Sequence, residues 1–197
     1  EPAYRVVQVS DPQRDSSTPS YTQGVEDWHE QRAEVFQRLI DNELAEGESG
    51  AFLLWGEPGL YDSTLRILER VRANGCSGFD YEVIPGISSV QVLAARHRVP
   101  LNGIGQPIRI TTGRRLAAAD LDNVVVMLDA HCAFQRFTQE NLDIYWGAYL
   151  GTADEILIAG KLADVCEQIK QTREAARQRK GWIMDTYLLR RRLAPNL

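Results

Sequence analysis

Hydrophobic positions along the chain switch between two periods. Short apolar or β-branched runs at Tyr4–Val9, Ala51–Trp55, Phe79–Ile84, Ile108–Thr112, Val124–Leu128, Ile144–Tyr149 and Glu155–Ala159 predict strands. Between them the spacing is helical. Val25, Trp28, Phe36, Leu39 and Ile40, with Arg32 in register, mark one helix that Gly47 closes. Leu65, Leu68 and Val71 give an inward face to a second over Ser63–Asn74, and Gly75 follows its end. Ser88–Arg98 is a third, small and alanine-rich on one side. Leu162, Val165, Ile169 and Thr172 line one face of a long helix over Leu162–Arg179, and Trp182–Leu189 reads as a last strand before Arg190-Arg191-Arg192. Strand–helix alternation of this kind predicts an α/β protein with a parallel sheet and crossover helices. The segment Val99–Pro107, with two prolines and two glycines, is the linker candidate. It divides the chain into an N-terminal α/β domain over 1–104 and a C-terminal one over 105–197.

Composition narrows the class. A chain of 197 residues can bury roughly 70% of the surface it exposes unfolded, enough for a true core. Hydrophobic residues at 44% and charged residues at 25% exclude a disordered or fibrous chain. No apolar run approaches the roughly 18 residues of a membrane span, so no membrane partner is expected. A net charge of −5 argues against wholesale nucleic-acid binding. Cys76, Cys132 and Cys166 form no C-x-x-C pair, and their odd count fits reduced, packed thiols in a cytoplasmic protein. Glu1-Pro2-Ala3 opens no charged-then-apolar leader, so no signal peptide is expected. His29, His97 and His131 show no metal-ligand spacing, and no metal is expected.

Chemistry can be carried by loops at predicted strand ends, where open α/β sheets bind ligands. Trp55-Gly56-Glu57-Pro58-Gly59-Leu60-Tyr61-Asp62-Ser63 leaves a strand and enters a helix. Its glycines let backbone approach a ligand, and Glu57 and Asp62 bring carboxylates; read more plainly, it is a connection with Ser63 as N-cap. It lacks the lysine and spacing of a phosphate loop. Ile84-Pro85-Gly86-Ile87-Ser88-Ser89 repeats the strand–turn–helix arrangement, and Ser88 is either a ligand contact or an N-cap. Thr111-Thr112-Gly113-Arg114-Arg115 could clamp carboxylates with two guanidiniums or be a solvated pair. Met127 is core filler or a ligand neighbour. His131 and the Gly147–Thr152 turn complete the set. No Gly-x-Ser-x-Gly elbow or Ser/His/Asp set is readable.

Together these segments resemble the tetrapyrrole (corrin/porphyrin) methylase family. The family's Gly-Asp-Pro-x-x-Tyr/Phe motif is similar to Gly56-Glu57-Pro58-Gly59-Leu60-Tyr61, with Glu57 in place of the common aspartate. Its Val-Pro-Gly-Ile/Val-Ser/Thr-Ser/Ala motif is similar to Ile84–Ser89. Val124–Met127 and Gly151-Thr152 match its second-domain strand and turn. Further likeness lies in Ser10–Asp15, Trp28–Ala33, Leu60–Thr64, Arg109–Arg115 and Gly181–Tyr187, so the resemblance runs nearly the whole chain. The family's opening strand and Gly-x-Gly-Pro-Gly loop have no counterpart in the sequence, and the first domain is expected to lack them.

The resemblance implies two α/β domains with S-adenosylmethionine bound between them and S-adenosylhomocysteine as product. It implies methyl transfer to a ring carbon of a precorrin in corrin biosynthesis, and in particular to C-1 of precorrin-5 with loss of acetate. Carried over, the cofactor contacts are Trp55, Gly56, Glu57, Leu60, Ser88, Ser89, Met127 and Gly151. Tyr61, Arg114 and Arg115 are assigned to the substrate. Glu57, Asp62 and His131 are the candidates for a general base in deacylation. A homodimer is expected from the family. The other readings are a related methylase for a different ring position, and a non-catalytic module that binds a tetrapyrrole or nucleoside.

Overall fold

The computed structural model describes residues 4–15, 17, 20–75 and 78–192, apart from the side chain of Tyr21. Cys76 lies outside the described residues. Two compact units emerge, Glu1–Gly86 and Ile87–Leu197. The division falls at Gly86 rather than at the 104/105 linker because helix α3 (Ser89–His97) packs on the sheet of the second unit. Val90 and Leu93 are buried there, and His97 Nε2 lies 3.0 Å from the Trp146 carbonyl oxygen.

The second unit is built on a five-stranded sheet, order β1-β2-β5-β3-β4. The strands are β1 (Arg109–Thr112), β2 (Asn123–Met127), β3 (Leu142–Ala148), β4 (Ile156–Lys161) and β5 (Asp185–Arg191). Only the β1–β2 pair is parallel; β5 runs antiparallel to both β2 and β3, and β4 antiparallel to β3. The expected parallel sheet is therefore mixed. The crossover itself is present: β4 and β5 run the same way and are joined by α4 (Leu162–Lys180). However, β5 passes over β3 and inserts on its far side. Tyr187, Leu188 and Leu189 on β5 are fully buried, as a central strand covered on both faces requires. Val124, Val126, Ile144, Trp146, Leu162, Ile169 and Leu189 share one core. Each such burial contributes about 1.5–3 kcal/mol before entropy is counted. Cys166 is buried and Cys132 half-buried, neither in a disulfide, and burial pushes both thiols up.

The first unit contains α1 (Tyr21–Glu43) and α2 (Thr64–Ala73). Ala33 and Phe36 meet Ile67, Leu68 and Val71, and Phe36 stacks on Phe52 with centroids 4.2 Å apart. Two stretches of likeness, Ser10–Asp15 and Trp28–Ala33, touch: Trp28 Nε1 donates to the Pro12 carbonyl at 2.7 Å, and Arg32 pairs with Asp11 at 2.7 Å. The strands expected at Tyr4–Val9, Ala51–Trp55 and Phe79–Ile84 do not form; these residues join no ladder. An apolar run becomes a strand only when a neighbouring strand pairs with its N–H and C=O groups, and no such ladder forms here among the described residues; the Tyr81 N–H turns instead to Asp80 at 2.9 Å. Leu53 is 95% exposed and Ile84 79% in consequence.

Candidate functional site

In the second unit the strand directions gather one end of the sheet. Thr112, Met127, Thr186 and Gly147 lie in register across β1, β2, β5 and β3. The carboxyl ends of β1, β2 and β3 therefore open on one edge, where such sheets bind ligands. From β1 springs a 3-10 turn, Gly113–Arg115, with Arg114 and Arg115 exposed. From β2 leads half-buried Met127 into Leu128, which takes a left-handed conformation (φ 52°) and is exposed. From β3 leads Tyr149 (φ 50°) and then exposed Gly151 (φ 79°), whose N–H donates to Glu155 at 2.8 Å. Of the expected site residues, Arg114, Arg115, Met127 and Gly151 share this edge. Ser89 reaches it as well, its hydroxyl 2.9 Å from Thr186 Oγ1. Ser88 is buried and caps α3: its Oγ accepts from the Val90 N–H at 3.2 Å, while its own N–H donates to Gln91 at 3.0 Å.

Beneath the edge lies a polar network that the strand and helix patterns do not reveal. Asp129, buried after β2, accepts from the His131 N–H at 3.0 Å, the Ala133 N–H at 2.6 Å and the Tyr187 hydroxyl at 2.8 Å. Arg173 of α4 donates to the Asp129 carbonyl at 3.0 Å and to Asp185 at 3.1 Å, and Trp146 Nε1 donates to the same Asp185 oxygen at 2.9 Å. Burial pushes the Asp185 carboxyl up against the pull of Arg173. Burial is the largest single influence on Arg173 and would lower it, but Asp185, Cys132 and Asp129 together hold the guanidinium above its usual range. Tyr187 is pushed up by burial and by Asp129, so its hydroxyl stays a donor. One signal was available in the sequence: Arg173 stands in the apolar register of α4, between Ile169 and Ala176.

In the first unit Glu57 joins both singled-out loops. One carboxylate oxygen accepts from the Gly59 N–H at 2.8 Å and the other from the Gly86 N–H at 2.7 Å. A Cβ on Gly86 would lie 2.0 Å from the Gly56 carbonyl oxygen, so these two backbones can only touch because residue 86 is glycine. Gly56 takes φ 89° with open space beside it. Trp55 and Tyr61 are exposed around this loop. Asp62 accepts from the Thr64 N–H at 2.6 Å, and Leu60 closes a turn on the Glu57 carbonyl at 3.1 Å. Of the base candidates, Glu57 and Asp62 thus serve backbone amides, while His131 is exposed. A separate open cleft of about 410 Å³ lies between Val7–Ser10 and α1, remote in sequence from these loops. Among the described residues no cluster of three or more His, Cys, Asp or Glu could hold a metal. None of their helices is long and apolar enough to cross a membrane.

The strand-end loops and the sheet define a class, and the sequence comparison agrees: residues 2–166 match the family described as Tetrapyrrole (Corrin/Porphyrin) Methylases, to which this chain belongs. Among curated relatives, a precorrin-6A synthase [deacetylating] from Sinorhizobium sp. is 53% identical over 190 residues, 95% of this chain and 73% of that protein. Among solved structures, a cobalamin synthesis related protein (CobF) from Corynebacterium diphtheriae is 43% identical with a TM-score of 0.79, covering 86% of this chain and 72% of that one. A uroporphyrin-III C-methyl transferase from Thermus thermophilus, solved with S-adenyl homocysteine, is 13% identical with a TM-score of 0.52 and covers 84% of this chain and 69% of that one. It shares the fold alone.

Proposed function

We propose that this chain is an S-adenosylmethionine-dependent C-methyltransferase of cobalamin biosynthesis, which methylates C-1 of precorrin-5 and releases acetate to give precorrin-6A. The observation that carries the reading is the 53% identity to a deacetylating precorrin-6A synthase across 95% of the chain. The residues present suit the cofactor. In the first unit Gly56 has open space beside it and Trp55 is exposed; in the second Gly151 has open space beside it, Leu128 is exposed and Met127 half-buried, bare backbone and apolar surface of the kind an adenosyl group takes. Trp55, Gly56, Leu60, Ser89, Met127 and Gly151 would hold it. Glu57 and Ser88 would act by shaping the turns that carry them.

When bound, the cofactor supplies a methyl group made electrophilic by its sulfonium. The chain's own task is to hold that methyl in line with the ring carbon and to exclude water, which can be worth about 7–11 kcal/mol of barrier. Arg114 and Arg115 would take peripheral carboxylates of the macrocycle in fork geometry, and the family likeness assigns Tyr61 to the substrate as well. Acetate release needs a water directed at the acetyl carbonyl. His131 is the first candidate to take its proton, because Glu57 and Asp62 already serve backbone amides. The family suggests a homodimer, so twice the 22.2 kDa chain mass is expected by light scattering. Thiols kept reduced fit the cytoplasm.

Incubation with methyl-labelled S-adenosylmethionine and precorrin-5 tests the reading. Labelled precorrin-6A with free acetate is expected. Methylation without acetate would indicate another ring position, and retention of ligand without turnover would reduce the protein to a binding module.

A further inference from the structure

The Asp129 carboxylate lies where two strand-end loops meet, and its surroundings are unusually confined. On one side it holds the main chain that follows β2, through the N–H groups of His131 and Ala133. On a second side the Tyr187 hydroxyl fixes it to β5. On a third it fills the space over Gly113: a Cβ built there would lie 2.3 Å from Oδ1 and 2.7 Å from the Asp129 Cβ. The residue at 113 is thus glycine for want of room, and the turn carrying Arg114 and Arg115 rests directly on this carboxylate. Arg173 restrains the same residue from below through its carbonyl.

We propose that Asp129 is a positioning residue for substrate recognition. Through Gly113 it sets the height of the Arg114-Arg115 turn, and through its two amide contacts it sets the loop bearing His131. The inference rests on the functional reading above, which gives those arginines to the tetrapyrrole carboxylates. Asp129 itself touches neither substrate nor cofactor in this account. Displacing its carboxylate should therefore disturb the macrocycle's carboxylates while leaving cofactor affinity nearly unchanged.

Two variants separate these effects. Gly113→Ala pushes a methyl into the carboxylate. Tyr187→Phe removes one of its donors, adds no volume and keeps the edge-on contact with Phe134, whose ring centroid is 5.2 Å away. For Gly113→Ala the KM for precorrin-5 is expected to rise about tenfold or more, and for Tyr187→Phe about threefold. The Kd for S-adenosylhomocysteine by calorimetry should stay within about twofold in both. Wild-type kinetics in both variants, or equal weakening of both ligands, would overturn the positioning role. If Gly113→Ala does not fold, Tyr187→Phe alone decides. Failure of the unaltered protein to bind S-adenosylhomocysteine would instead strike at the functional reading itself.

Discussion

Arg173 and Asp185 form a charged pair almost entirely withdrawn from water, with Trp146 satisfying the shared carboxylate oxygen. Such a pair contributes little over an apolar substitute, but breaking it leaves one charge stranded. Arg173→Met is expected to lower stability by about 3–5 kcal/mol in urea titration, with Asp185 uncompensated. His29 is a second buried polar residue, 2.9 Å from the Ser63 hydroxyl. Burial holds its imidazole below the ordinary 6.5, and Arg70, Arg66 and Arg32 add to that against the opposing pull of Glu26. The folded state therefore binds this proton less readily than the unfolded one. The stability it confers is complete above about pH 6.5 and falls as the pH drops through the folded value. The urea midpoint should be level above about pH 6.5 and decline as the pH falls below it, and His29→Gln should lessen that decline. An unchanged decline in the variant would refute the assignment. At this scale the sequence was informative about loops and silent about pairs: Glu57 and Ser88 could be singled out from local motifs. The Asp129–Tyr187 and Arg173–Asp185 contacts join positions 58 and 12 residues apart, and no local pattern encodes them.

Helices and the strands of the second unit were legible because their apolar spacing is satisfied within the unit. Val124, Val125 and Val126 read as a strand and are one, fully buried. Strand order was not legible, since nothing in the Tyr187-Leu188-Leu189 run of β5 says that it must cross β3 before pairing. The three apolar runs of the first unit were misread for the related reason that a ladder depends on a neighbour, not on propensity. Element packing also makes Gly147 of β3 a tight spot: a Cβ there would lie 2.6 Å from Leu150 and 3.0 Å from Leu93 of α3. Gly147→Ala should cost about 1–3 kcal/mol by overpacking. Ser88→Ala, which uncaps α3, should cost about 1 kcal/mol. Thermal unfolding of both variants checks the pair. A neutral Gly147→Ala would mean that α3 yields without loss.

On the scale of the molecule, the second unit holds the large continuous core, while the first relies on two helices and segments outside any ladder. Hydrogen exchange should reflect this, since amides without a ladder exchange by local fluctuation. Residues 51–55 and 79–84 are expected to exchange early, and β2, β3 and β5 last. Slow exchange at 51–54 would contradict the absence of a ladder there. The central claim is chemical: one methyl enters the macrocycle for each acetate that leaves. Carbon NMR of a reaction with ¹³C-methyl S-adenosylmethionine and precorrin-5 tests it most directly. The account predicts a new signal from a methyl on a saturated ring carbon at C-1, growing in equal proportion to acetate. A methyl signal at any other carbon, or one without acetate, would contradict it.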